Sequence, residues 1–296
     1  MVDWRRPTRD LIAPFAAFVL VVAILPALVG AQEPGSRRIA PGTTDPADLP
    51  GPLDDVTIRP TVLIRNGNSR GSGTIIGSNG GRALVLTAAH VIDGPGDPAI
   101  ELHRYNLGIE GRKLGGVWPK VYPARVVATD ADADVAVLLV QGLAKLPYVA
   151  ALDPDLGRTP PSGSSVTSVG IDQASDLNAW DSRIRGTALL SRNKVDRADA
   201  GTSAAPPSPF RVEGGIRDTA MDGRERRLFL ITEHAPIQGR SGGGLFSEDG
   251  RLLGLCVGRI EVKDARGESA AIGLFASGKS ILRVLDRIDR GSPDAN

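Results

Sequence analysis

Three polar residues, far apart in the sequence, have the types that nucleophilic catalysis requires. His90 follows one aliphatic run, Asp134 opens another, and Ser241 lies in the glycine-rich segment 238–245. A serine hydroxyl is a poor nucleophile at neutral pH, so it needs an imidazole that accepts its proton and a buried carboxylate that orients the imidazole. We predict that the fold brings Ser241, His90 and Asp134 together as nucleophile, general base and orienting acid.

The glycines around the serine suggest how the charge formed by its attack would be stabilised. Attack on a carbonyl carbon creates an oxyanion, which backbone N–H groups must meet at about 3 Å. A tight glycine-rich turn lets successive N–H groups point at one place. We therefore predict an oxyanion hole formed by the amides of Gly239 and Ser241. The glycines of 242–244 would leave room for the chain to turn away beneath a substrate.

The choice of acid has one alternative, because three aspartates alternate along residues 130–134. Side chains two apart in an extended chain share a face, so Asp132 is the substitute if Asp134 does not face the imidazole. The same spacing resembles the start of a calcium-binding EF-hand loop. However, Val135 stands where that loop needs Gly, and Gln141 stands where it needs Glu. We expect no calcium site there.

Short β-branched and aliphatic runs recur between turn signals and predict the scaffold that positions these residues. The sequence has 36 Gly and 22 Pro, which favours turns over long helices. Predicted strands cover residues 61–65, 73–77, 83–87, 99–103, 124–129, 135–140, 165–171, 183–191, 227–232, 244–247, 252–257 and 271–276. A dozen strands predict an all-β sandwich or a pair of barrels, followed by one helix over 280–290. Residues 196–226 lack an apolar pattern and predict a long inserted loop.

The N-terminal 55 residues lack the pattern of a folded domain. Residues 1–10 are basic, and residues 11–31 are uncharged and end in small residues, which is typical of a secretory signal peptide cleaved after Ala31. The alternative is an uncleaved membrane anchor, since about 20 apolar residues span a bilayer. Residues 32–55 are interpreted as a flexible linker. Both interpretations of the first segment place the remainder outside the cytoplasm.

The composition argues against several classes of protein. With 41% hydrophobic residues the chain can bury a large core, which argues against disorder. A formal net charge of +1 provides no basic field that would attract nucleic acid. Cys256 is the sole cysteine, which rules out an intrachain disulfide and a multi-cysteine zinc site. In an exported protein of this size, the lack of disulfides favours a bacterial periplasmic or cell-surface location.

One motif points to different chemistry. Residues 273–280 match the phosphate-binding pattern G-x-x-x-x-G-K-[ST] between a predicted strand and the predicted helix. A P-loop ATPase needs further βα units after that motif to supply a magnesium-binding acid, and only residues 281–296 follow. An export signal also argues against ATP. We therefore expect no nucleotide, metal or organic cofactor, and we expect Lys279 and Ser280 to begin the helix.

Taken together, the motifs resemble those of the trypsin-like (chymotrypsin-fold) serine peptidases, most closely the disulfide-poor bacterial members related to the HtrA group. The order His, Asp, Ser along the chain agrees with that family. The resemblance is carried by Gly71-Ser72-Gly73-Thr74, Leu86-Thr87-Ala88-Ala89-His90-Val91, Asp134-Val135-Ala136-Val137-Leu138 and Gly239-Arg240-Ser241-Gly242-Gly243.

The resemblance implies an all-β fold of two six-stranded antiparallel β-barrels with a C-terminal helix. The peptidase domain would cover 56–290, with barrels over roughly 56–150 and 160–277, and residues 291–296 would form a tail. His90 and Asp134 would come from the first barrel and Ser241 from the second. The active site would then lie in the cleft between the barrels.

The resemblance also suggests the primary substrate pocket. Ala235, six residues before Ser241, would lie at the base of the pocket with Pro236 beside it, and Val257 and Gly258 would form a wall. Because the base has no acidic residue, the resemblance disfavours cleavage after Lys or Arg. A small or apolar substrate side chain is expected instead.

Three departures from the family pattern limit what the resemblance implies. Arg240 replaces the Asp or Asn that many members have before the serine, so the acidic partner of a newly cut N-terminus is missing. This argues against activation by that route and leaves the state of the oxyanion hole open. Gly244 replaces the usual Pro. Few residues follow the predicted helix, so we expect no PDZ domain of the kind that HtrA proteins carry.

The expected function is that of an exported serine endopeptidase. It would hydrolyse proteins or peptides through an acyl-enzyme on Ser241, with His90 acting first as base and then as acid. Nucleic acid is not an expected partner, and a membrane is one only if residues 11–31 stay uncleaved. The alternative is an inactive peptidase-like scaffold that binds protein or peptide without cutting it. Arg240 and the insertion at 196–226 motivate that alternative.

Overall fold

The computed structural model describes residues 37–39, 51–108, 116–190, 227–263 and 269–291, with only the backbone at 37–39, 261–263, 269 and 289–291. Three predictions therefore lie outside the described residues. These are the signal peptide or anchor at 1–31, the inserted loop at 196–226, and the tail beyond residue 291. The statements below concern the described residues.

Strands dominate the described chain, as the sequence predicts. The strands are β1 (Arg37–Ile39), β2 (Thr61–Asn66), β3 (Ser69–Asn79), β4 (Arg82–Thr87), β5 (Ala99–Leu102), β6 (Lys120–Asp130), β7 (Val135–Gln141), β8 (Ala151–Leu152), β9 (Ser165–Asp172), β10 (Asp176–Leu190), β11 (Arg227–Thr232), β12 (Gly244–Ser247), β13 (Arg251–Lys263) and β14 (Ser269–Ser277). The α-helices are α1 (Pro52–Thr57) and α2 (Gly278–Gly291). No described helix is long and apolar enough to cross a membrane.

Strands β2 to β7 form a closed barrel, which we call barrel 1. Its strand order is β2-β3-β4-β7-β6-β5, and every pairing is antiparallel. Because side chains alternate across a strand, β7 serves two cores. Leu138 and Val140 pack inside barrel 1, whereas Val135 and Val137 face a second apolar cluster that also receives residues of the other barrel and of α2.

The second ring, which we call barrel 2, contains β9, β10, β11, β14, β13 and β12 in that order, and the β12–β9 pairing closes it. The predicted pair of six-stranded barrels with a C-terminal helix is thus confirmed. Two short strands add to barrel 2: β1 pairs with β10, and β8 pairs in parallel with β13. Helix α2 packs against the core through Ile281 and Val284, which are fully buried.

The stretch interpreted as a linker contains regular structure in its described parts. Residues 37–39 pair with 177–179 of β10, and α1 begins at Pro52, inside the stretch 32–55. The fixed φ of proline suits the first turn of a helix. Such short elements carry too little hydrophobic periodicity to be seen in the sequence, so the folded part begins earlier than Val56.

Candidate active site

The imidazole of His90 and the carboxylate of Asp134 form a direct hydrogen-bonded pair. Nδ1 of His90 lies 2.5 Å from Oδ2 of Asp134, and the His90 amide donates to Oδ1 at 2.8 Å. The Asp134 side chain is 12% exposed and the His90 side chain 41% exposed. The carboxylate therefore holds Nδ1 while the imidazole remains accessible. Of the two candidate acids, Asp134 is the one that these bonds join to His90.

Asp134 reaches His90 through the tight turn between β6 and β7. Its φ is +56°, the left-handed region that aspartate and asparagine tolerate better than most residues. Asp130 closes the turn by accepting the Ala133 amide at 3.2 Å, and Arg227 of barrel 2 donates to the other oxygen of Asp130 at 2.9 Å. The turn that presents Asp134 is thus held from both barrels.

Ser241 lies in the loop between β11 and β12 and is bonded to barrel 1 through its backbone. Its carbonyl accepts the amide of Ser72 at 2.7 Å. Its hydroxyl donates to the carbonyl of Val257 in β13 at 3.3 Å. Because this hydrogen bond is long, it is weak, and breaking it would cost little free energy.

Two glycines let the serine loop approach the segment that carries His90. A Cβ on Gly71 would lie 2.9 Å from the Ser241 carbonyl oxygen and against Val91, the neighbour of His90. A Cβ on Gly242 would collide with the Ser72 carbonyl and the Thr87 hydroxyl, and would lie 2.9 Å from the Ala88 amide. These close approaches bring the loop of Ser241 against the end of β4, directly before His90.

The amides of the predicted oxyanion hole are oriented by the carbonyls of their own peptide groups. Gln238 O accepts the Gln173 amide at 2.6 Å, and Arg240 O accepts the Gly243 amide at 2.8 Å. In a planar trans peptide the N–H points opposite to the C=O. The amides of Gly239 and Ser241 therefore point away from those partners. Neither amide has a hydrogen-bond acceptor among the described residues.

Arg240 is fully buried beneath this loop. Its guanidinium binds both carboxylate oxygens of Asp172, with Nε at 2.9 Å from Oδ1 and Nη2 at 2.6 Å from Oδ2. Sequence reasoning singled out Arg240 but missed Asp172, because no local pattern links residues so far apart. The sequence also indicated no role for Ser72, although this residue belongs to the motif of residues 71–74.

The predicted pocket residues lie on the two segments that flank the serine loop. Ala235 is half-buried and Pro236 is buried in the segment after β11, while Val257 and Gly258 are half-buried in β13. No acidic residue is among them. On the edge of β13 opposite β14, the backbone of Cys256 is bonded to Gly242 and Gly243. Beyond Cys256 this edge pairs with no described strand. This free edge next to Ser241 is available for pairing with an extended peptide.

The phosphate-binding pattern does not form a loop. Gly273 lies inside β14, paired with Thr232 and Arg259. Gly278 begins α2, and the space beside its Cα is filled by the carbonyl and side chain of Leu156. A phosphate could not enter there. Among the described residues, no cluster of His, Cys, Asp or Glu side chains could hold a metal ion.

Cys256 is also not a reactive group. It is fully buried, and burial raises the pKa of its thiol to about 12. At neutral pH the thiol is therefore protonated and a poor nucleophile.

Ser72→Ala tests the bridge between the serine loop and barrel 1. The Ser72 hydroxyl donates to the Gly239 carbonyl at 2.9 Å and accepts the Ile171 amide at 2.8 Å. The substitution leaves a buried N–H without an acceptor, which costs about 1–3 kcal/mol. We expect the free energy of unfolding in urea to fall by that amount.

Thr74→Val is the matched control, because Thr74 is also fully buried in β3. Its hydroxyl has no hydrogen-bond partner in the described part of the chain. An apolar replacement of similar shape should therefore leave the stability unchanged or raise it slightly. Equal destabilisation by the two substitutions would contradict the proposed importance of the Ser72 bridge.

Comparison with known proteins gives the same fold and a family. The chain is similar to an inactive serine-to-alanine mutant of Rv3671c from M. tuberculosis H37Rv, at 22% identity and a TM-score of 0.51, over 86% of this chain and 99% of that one. A second structure of the Rv3671c protease in an inactive form gives 23% identity and a TM-score of 0.50, over 85% and 98% of the two chains. The serine endoprotease from Yersinia pestis gives 18% identity and a TM-score of 0.51, over 80% of this chain and 65% of that one.

At these identities the solved structures establish the fold alone. Among curated proteins none matches the chain. The family model described as the trypsin-like peptidase domain matches residues 71–255, from β3, which carries Ser72, into β13, which contacts the loop of Ser241. Since that match covers more than half of the 296 residues, the chain belongs to the trypsin-like peptidase family.

Proposed function

We propose that the protein is an exported serine endopeptidase that uses Ser241 as nucleophile, His90 as general base and Asp134 as the orienting acid. The proposal rests mainly on the distance of 2.5 Å between Nδ1 of His90 and Oδ2 of Asp134. The loop that contains Ser241 lies against the segment that carries His90. The export rests on the predicted segment 1–31, which lies outside the described residues.

The pairing of Nδ1 with Asp134 determines which imidazole nitrogen can act as base. When Nδ1–H donates to the carboxylate, the neutral ring has its lone pair on Nε2. In the proposed reaction the Ser241 hydroxyl leaves the Val257 carbonyl and donates to Nε2 of His90. Asp134 then stabilises the imidazolium that forms.

Attack of the Ser241 oxygen on a peptide carbonyl would give a tetrahedral intermediate. The amides of Gly239 and Ser241 would donate hydrogen bonds to its oxyanion. Such donors contribute a large part of the rate enhancement in acyl transfer. His90 would then protonate the leaving amine and release the first product. Water, deprotonated by His90, would hydrolyse the acyl-enzyme and restore Ser241.

The substrate would lie along the free edge of β13, with its main chain paired to Val257 and Gly258. Its side chain before the cleaved bond would enter the pocket bordered by Ala235 and Pro236. Because these residues carry no negative charge, a cationic side chain gains no partner there. We propose a preference for small or apolar side chains at this position.

Profiling of a peptide library with the full chain tests both the activity and the preference. We expect cleavage after small or apolar residues, with kcat/KM at least about 10-fold above that for Lys or Arg, a difference of about 1.4 kcal/mol. A preference for Lys or Arg would overturn the pocket assignment. Peptide binding without turnover, together with no labelling by a fluorophosphonate, would overturn the enzyme and favour the binding scaffold.

A further inference from the structure

The residue directly before the nucleophile carries a buried positive charge. Arg240 is among the largest side chains of the described chain that are fully inaccessible to solvent. Its guanidinium forms a two-pronged ion pair with Asp172, donates to the Ser168 carbonyl at 2.8 Å, and lies 5.0 Å from the ring centre of Trp180. A guanidinium is tolerated at such a site only when its charge and N–H groups are satisfied.

Asp172 ends β9 and begins a turn that touches the nucleophile loop. The turn residue Gln173 donates its amide to the Gln238 carbonyl at 2.6 Å. A Cβ on Gly239 would lie 2.8 Å from the Gln173 amide nitrogen and 3.0 Å from that of Ala174. The ion pair and the peptide that carries the Gly239 amide are therefore held by the same turn.

The turn itself is strained. Gln173 has φ of +51° and Ala174 has φ of +59°, although neither is glycine. Left-handed backbone is unfavourable for such residues and persists where surrounding contacts hold it. Asp172 supplies two of these contacts: its carbonyl accepts the Ser175 amide, and its carboxylate accepts the Asn178 side-chain amide.

We propose that the Arg240–Asp172 ion pair positions the oxyanion hole, so that the Gly239 and Ser241 amides are oriented before substrate arrives and without a newly cut N-terminus. Arg240 fixes the loop from below, and Asp172 fixes the turn that holds the Gln238 carbonyl. Neither side chain contacts the reacting atoms, so both are positioning residues. This inference rests on the proposed peptidase function.

The test is the double variant Arg240→Met with Asp172→Asn in the full chain. Removing both charges avoids leaving one of them buried without its partner, which would endanger folding. Circular dichroism and thermal unfolding confirm that the variant is folded. We then expect kcat to fall about 100-fold, the loss typical of a misplaced oxyanion donor, while KM changes less than about threefold. The rate of fluorophosphonate labelling should fall with kcat.

The matched control is the double variant Arg59→Met with Asp55→Asn. Arg59 is also a buried arginine, paired with Asp55 at 2.7 Å, but it packs near α1 and donates to the carbonyl of Tyr105. A structural loss alone would lower thermal stability in both double variants. Only the variant at the nucleophile loop should lose kcat at unchanged KM.

Arg240→Lys provides a second measurement if the first double variant does not fold. Lysine keeps the charge but lacks the planar fork that binds both oxygens of Asp172. We expect kcat to fall about 10-fold at unchanged KM. A folded variant of either kind with wild-type kcat overturns the positioning role and leaves the peptidase intact. A wild-type protein without hydrolysis or labelling overturns the peptidase itself.

Discussion

Ser241→Ala is expected to abolish labelling by a fluorophosphonate and to lower kcat by about 10⁴- to 10⁶-fold. The substitution removes the atom that would form the acyl bond in the proposed reaction, and hydrogen-bond donors cannot replace a nucleophile. The fold should persist, because the backbone bond between Ser72 and Ser241 is unchanged and the lost hydroxyl makes only a 3.3 Å bond to Val257. Mass spectrometry of the treated protein measures the label directly.

Ser247→Ala is the matched control for the nucleophile. Ser247 ends β12, and its hydroxyl bonds to Asp249 and to the backbone of Arg251 rather than to the His90 segment. This variant should be labelled at the wild-type rate. Labelling that survives in Ser241→Ala would show that another residue is the nucleophile.

Asp134→Asn is expected to lower kcat by about 10⁴-fold with little change in stability. Asparagine has nearly the same shape and accepts the left-handed backbone that Asp134 adopts, so the turn is preserved. An amide does not stabilise an imidazolium and can hold the imidazole in the wrong tautomer. Steady-state hydrolysis of the best library peptide at neutral pH measures the loss.

Asp132→Asn distinguishes the two acids of the same turn. Asp132 is half-buried, whereas Asp134 makes both bonds to His90. We expect kcat of Asp132→Asn to stay within about twofold of the wild type, since no bond to the imidazole is removed. A larger loss in Asp132→Asn than in Asp134→Asn would reverse the assignment of the acid.

Hydrophobic runs predicted the strands because strand formation depends on local patterns. The His90–Asp134 pair was predicted from the residue types that a serine nucleophile requires and from the motifs that contain them. The limits of β11 and β12 agree with the predicted runs to the residue. By contrast, β10 starts at Asp176 instead of Arg183. Its first half contains aspartate and asparagine, which disfavour strands in isolation, and it is held by pairing with β9.

The ion pair between Arg240 and Asp172, which lies beneath the serine loop, could not be predicted from the sequence in the same way. Arg240 and Asp172 carry opposite charges, but so do many other pairs in a chain with 35 basic and 34 acidic residues. Which charges meet in the interior depends on the closure of barrel 2. The roles of Ser72 and Gly242 likewise depend on the contact between the two barrels, which cannot be predicted from any single segment of the sequence.

The backbone hydrogen bond between Ser72 and Ser241 makes the position of the serine loop depend on the contact between barrel 1 and barrel 2. The Ser72 amide of barrel 1 donates to the Ser241 carbonyl at 2.7 Å, whereas the Gly242 amide donates to the Cys256 carbonyl within barrel 2. A local opening that separates the barrels would break the Ser72 bond and release the loop that carries Ser241. We therefore expect heat inactivation to begin with separation of the two barrels, before either barrel unfolds.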